Sequence, residues 1–145
     1  MAYLQGYKVS LLIGAIFCSL AALLHFACVF VGAPLFRVLG AGDMVVKLAE
    51  QGHPHPYIMA GLVGAALSFF AYLCAALAGA VAPMPLAKWI LSIFVFVLLV
   101  RAVCFPWLKP YFAGNSDMFW WLSSAICLTM ALVIAGGLWQ VWDKN

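Results

Sequence analysis

Charge is scarce in this 145-residue sequence. Seven Lys or Arg and four Asp or Glu make it 8% charged, where soluble domains carry about a quarter. The formal net charge of +3 is thinly spread, and a nucleic-acid surface needs a concentrated basic patch, so that class is excluded. CxxC pairs are also missing, and the five cysteines (Cys18, Cys28, Cys74, Cys104 and Cys127) are odd in number. They read as small packing residues in helix interfaces, with a Cys28–Cys104 disulfide as the alternative. Gly40–Gly42 lacks the lysine and strand context of a phosphate loop. No nucleophile with a base, no acid–base pair and no cofactor motif stands out. The sequence therefore assigns no cofactor and no metal, and leaves enzymatic activity undecided.

What the sequence has instead is apolar length: 68% of its residues are hydrophobic. Four runs fill most of it, at about 10–32, 57–80, 86–105 and 118–142, and a bilayer core of roughly 30 Å needs about 20 helical residues. The expected fold is all-α: an integral membrane four-helix bundle, one transmembrane domain over 1–145 with a longer first loop at 33–56. The first run is nearer 22 residues than the 7–15 of a signal peptide and three more follow, so it is expected to remain as a helix. The run at 90–100 is rich in β-branched and aromatic residues, but lipid has no place for an open sheet edge, so it too must coil.

Helices in lipid associate through close backbone approach at small residues. In the first span Gly14, Cys18, Ala21, His25, Cys28 and Gly32 share a stripe predicted to face the bundle, which leaves Leu11, Ile13, Phe17, Leu20, Leu24 and Phe26 outward. In the second, Gly61, Gly64, Ser68, Ala71, Ala75 and Gly79 form the stripe; Phe69, Phe70 and Leu73 are expected to face lipid or a neighbouring protomer, and Tyr72 to carry its hydroxyl inward. In the fourth the stripe is Ser124, Cys127, Ala131 and Ala135, and all six tryptophans read as interface anchors. The basic residues are nearly balanced: Lys8, Lys88 and Lys144 on one face, Arg37, Lys47, Lys109 and nearby Arg101 on the other. The long polar loop favours the outside, so both termini are expected in the cytoplasm.

An even number of spans places loops one and three on the same face, and the unusual polar residues gather there. Arg101 sits about one turn from its helix end. It either snorkels or, as a cavity arginine, pairs with Asp43, Glu50 or Asp117 or holds the acidic or carbonyl group of a ligand. His25 lies deeper and either steadies the packing or contacts a ligand; a bis-histidine site would need a second buried histidine. His53 and His55 read as a solvated loop at the entrance of the second span. In loop one, Asp43 is predicted to cap a short helix over 44–50, whose Met44, Val45 and Leu48 lie along the interface or fold over the bundle mouth. The candidate ligand contacts are His25, Arg37, Tyr72 and Arg101.

With Arg37-Val-Leu-Gly-Ala-Gly-Asp-Met-Val-Val-Lys47, the small-residue first span and His25, the chain resembles the small four-helix bacterial inner-membrane proteins that include the DoxX-like group. That resemblance implies a bacterial inner-membrane location. Some members are associated with quinone-linked oxidation and others with assembly of a larger membrane protein. The first functional reading is a non-enzymatic bundle that binds a lipid-like or small amphipathic molecule beneath loop one. The alternatives are an accessory or assembly subunit of a larger membrane complex and a quinone-linked oxidoreductase subunit; a transporter ranks last. Expected partners are membrane lipids and either further copies of the chain or a larger membrane protein.

Overall fold

The computed structural model describes residues 2–111 and 114–143, and of residues 2–7 the backbone alone; Lys144 lies outside the described residues. The chain is 84% helical, without a strand among the described residues. Four long helices, α1 (Ala2–Val31), α4 (Pro54–Leu77), α5 (Ala87–Val103) and α7 (Asp117–Trp142), carry the fold. Short helices α2 (Ala33–Val38) and α3 (Asp43–Glu50) occupy loop one, and α6 (Phe105–Leu108) with a 3₁₀ turn at Lys109–Tyr111 follows α5. The β-branched run at 90–100 is indeed helical, within α5.

Three helices are long and apolar enough to cross a membrane, or four if α5 and the segment after it form one span. Leu23, Leu62, Phe96 and Leu132, one on each long helix, are all more than half exposed. An apolar belt on that scale is what a lipid solvent permits and water does not.

Helix ends follow local chemistry, with some corrections to the predicted bounds. α4 starts at Pro54, not at 57, because Pro54 and Pro56 fall in the first turn, where no amide is required. His53 is its N-cap, its Nδ1 accepting from the His55 amide at 3.3 Å. α5 starts after Leu86, which is left-handed at φ 65°, and stops at Val103, two residues before the predicted end. There the chain bends by 72° into Phe105–Tyr111, with Pro106 in the first turn of α6. Loop one holds two helices rather than one, and Gly42, not Asp43, is the N-cap of α3. On α3 the fully buried positions are Val46 and Ala49, while Met44 is exposed.

Around the bundle α1 packs on α4 and α7, and α5 on α7 and α4. The core holds Cys18, Leu73, Cys74, Leu91, Ala131 and Ile134, none with any exposed surface. All five cysteines are free, so no Cys28–Cys104 disulfide forms. The small stripes turn inward in large part, but not to meet one another. A methyl group at Gly137 would lie 2.7 Å from Leu11 Cγ, one at Gly14 2.8 Å from Ile134 Cγ1, and one at Gly64 2.8 Å from the Phe26 ring. Each glycine is a notch for a large side chain of the neighbouring helix. That is why Leu11, predicted to face outward, is fully buried; Leu73, also predicted to face outward, is fully buried in the core. For the same reason as Leu11, Phe26 is half-buried, whereas Phe70 is half-buried by stacking on Phe94 of α5 at 3.9 Å.

Candidate functional site: a cavity beneath the α2–α3 cap

Gly32 breaks α1 at φ 82°, and α2 follows at once with Pro34 in its first turn. The chain then folds back through Gly40 and Gly42 into α3, so that α2 and α3 cover the ends of α1 and α4. Buried Phe36, Val46, Ala49 and Ala60 hold this cap down together with Cys28. Tyr57 of α4 meets Phe36 edge-on at 5.7 Å and donates its hydroxyl to the Ala49 carbonyl at 3.3 Å. Loop three latches the same cap: Asn115 Nδ2 donates to the Gly40 carbonyl at 2.8 Å. Gly40 and Gly114 have φ of 72° and 98°, and a side chain on either would run into Phe119 or the Asp43 carboxylate. Loops one and three thus meet at one end of the bundle.

Beneath the cap lies a cavity of about 360 Å³, within the range of small-molecule sites, roughly 300–1,000 Å³. α1 contributes His25 and Cys28, α2 Phe36 and Leu39, and α3 Val45. The α4 wall runs from His55 and Pro56 through Met59 and Ala60 to Val63. Apart from the Cys28 thiol, the two imidazoles are the polar side chains in these walls. His25 is half-buried, and its Nδ1 lies 2.8 Å from the Ala21 carbonyl. A carbonyl can only accept, so Nδ1 carries the proton. In the neutral tautomer that carries this proton, the lone pair lies on Nε2.

The other predicted contacts lie elsewhere. Arg101 does not line the cavity. Its Nη2 donates to Ser123 Oγ at 3.1 Å, and its guanidinium lies over the Trp120 ring at 4.9 Å. Nη1 is buried without a protein acceptor, as is Ser124 Oγ. None of the three expected carboxylates pairs with Arg101: Glu50 takes Arg37 at 2.8 Å, Asp117 takes Lys109, and Asp43 packs on Gly114. Trp120, expected as an interface anchor, is 2% exposed and serves as the platform for that guanidinium. Arg37 is itself an exposed surface partner. The Tyr72 hydroxyl donates to the Ala82 carbonyl at 3.0 Å, at the opposite end of the bundle, and does not turn inward.

Sequence reasoning missed His55, Phe36 and Tyr57. The signal available for His55 was the Pro54-His55-Pro56 spacing, which suits a first helical turn as well as a loop. Among the described residues no three His, Cys, Asp or Glu gather closely enough to hold a metal. The cavity can desolvate an apolar chain and offer imidazole nitrogens to one polar group. No family model, no curated protein and no solved structure matches the chain.

Proposed function

We propose that the chain is a non-enzymatic membrane protein that crosses the bilayer four times and holds a lipid-like or small amphipathic ligand in the cavity beneath the α2–α3 cap. The observation that carries this reading is the cavity itself: about 360 Å³ with apolar walls and two imidazoles, covered by a cap latched by α4 and by loop three. The 17 residues of α5 rise about 26 Å, short of a roughly 30 Å core. Local thinning of the bilayer and snorkelling at the helix ends accommodate such a mismatch, so α5 counts as the third span. The segment after the bend, with exposed Trp107 and Tyr111, lies along the interface. The DoxX-like resemblance is consistent with this architecture and suggests the bacterial inner membrane; the long polar first loop favours both termini in the cytoplasm.

The test is mass spectrometry of organic extracts from protein purified in mild detergent. Ala60 is 5% exposed and lines the cavity, so Ala60→Phe fills it. A small molecule recovered with the native chain and missing from Ala60→Phe is the expected outcome. Identical extracts, from two proteins with the same thermal midpoint, overturn the reading.

A further inference from the structure

A ligand that reaches this cavity from the bilayer gains little from its apolar walls, because lipid tails are already apolar. Selection over bulk lipid must then come from a polar contact that acyl chains cannot make. Two imidazoles qualify, and their settings differ. His55 is exposed at the first turn of α4, where water competes for it. His25 is half-buried on α1, six residues short of the helix end at Val31. Its Nδ1 is taken by the Ala21 carbonyl, which leaves Nε2 of the neutral ring, an acceptor and not a donor, for a ligand in the cavity that His25 lines. No amide, hydroxyl or ammonium group of another side chain lines the walls.

From this, and resting on the ligand reading above, we infer that the bound amphiphile carries a hydroxyl group, which donates its hydrogen bond to His25 Nε2. An ether or ester head of the same size offers acceptors alone and meets another lone pair. A site that is built to pair with a hydroxyl rejects the analogue that lacks it, since its own polar group is left unpaired. The inferred ligand class is thus a single-chain amphiphile with an alcohol or phenol head. Its chain lies against Met59, Ala60 and Val63 of α4 and its head lies at α1.

The experiment uses the whole protein in detergent micelles, labelled with ¹⁵N-histidine; with three histidines in the chain, the spectrum resolves each ring. It is titrated with 1-decanol and, in parallel, with decyl methyl ether. Decanol is expected to move the His25 Nε2 resonance and to bind about fivefold more tightly than the ether, the ratio set by one neutral hydrogen bond of about 1 kcal/mol. His25→Phe, checked for an unchanged thermal midpoint, is expected to bind both equally. Equal binding of the two probes to the native protein, or a shift confined to His55, overturns the hydroxyl inference while the cavity reading stands. Failure of both probes to bind the native protein, or undiminished binding of both to Ala60→Phe, sinks both readings.

Discussion

His25 and Arg101 sit at the same end of the bundle, six and two residues from their helix ends, and their surroundings differ in kind. The histidine satisfies one nitrogen on its own helix and lines an apolar cavity. The arginine is closed in by Trp120 and Ser123, with one nitrogen shielded from every protein acceptor. Depth within a span therefore indicates what a polar side chain costs, not what it does. What decides the outcome is the neighbouring element. α1 and α4 carry a separate folded cap that leaves room beneath it, whereas α7 presents a large ring directly to α5.

The strongest way to break this contrast is to unlatch the cap. Gly40→Val places a β-branched residue at φ 72° and drives its side chain into Phe119. The left-handed backbone costs about 1–2 kcal/mol and the overpacking about 1–3 kcal/mol, so the expected destabilisation is about 3 kcal/mol. A fall in thermal midpoint, with loss of the bound small molecule, is the expected result. A variant that keeps both would show that the cap stands without loop three.

A smaller effect tests the other half. Arg101→Met removes a cation over Trp120, worth about 0.5–1 kcal/mol or more when desolvated, together with the bond to Ser123. It also removes a buried donor without an acceptor, a penalty of about 1–3 kcal/mol. These oppose one another, so the midpoint is expected to move by less than about 1 kcal/mol in either direction. Ligand recovery is expected to be unchanged. Loss of ligand in Arg101→Met, with the fold intact, would transfer the site to the α5–α7 side and end the distinction drawn here.

How much of this was legible in the sequence depends on the range of the interaction. The shared face of loops one and three was legible, because it follows from counting spans, and the Asn115–Gly40 bond bears it out. The inward turn of Cys18, Gly64 and Ala131 was legible from spacing. The burial of Leu11 was not: its partner is a notch at Gly137, far along the chain, and one stripe does not say which large residue will fill it. The charge partners failed for a related reason. Glu50 is 13 residues from Arg37, and Lys109 is 8 from Asp117; short loops close cheaply, so local pairs formed and Arg101 was left with a hydroxyl and a ring. His55 was hidden by its two prolines, which read as loop residues until the helix began at the first of them.

The smallest predicted effect concerns Arg37, whose place in the sequence made it a ligand contact. Its guanidinium meets Glu50 across the top of α2 and α3 at 2.8 Å, but the two side chains are 67% and 49% exposed. Exposed pairs contribute about 0.2–1 kcal/mol and are screened by salt. A double-mutant cycle with Arg37→Ala and Glu50→Ala is expected to give a coupling at the lower end of that range, fading between low and high ionic strength. Ligand recovery is expected to be unaffected throughout, because neither side chain lines the cavity. If Arg37→Ala alone empties the cavity while Glu50→Ala does not, the guanidinium reaches the ligand from the cap. The polar contact would then be shared between α1 and α2 rather than held by His25.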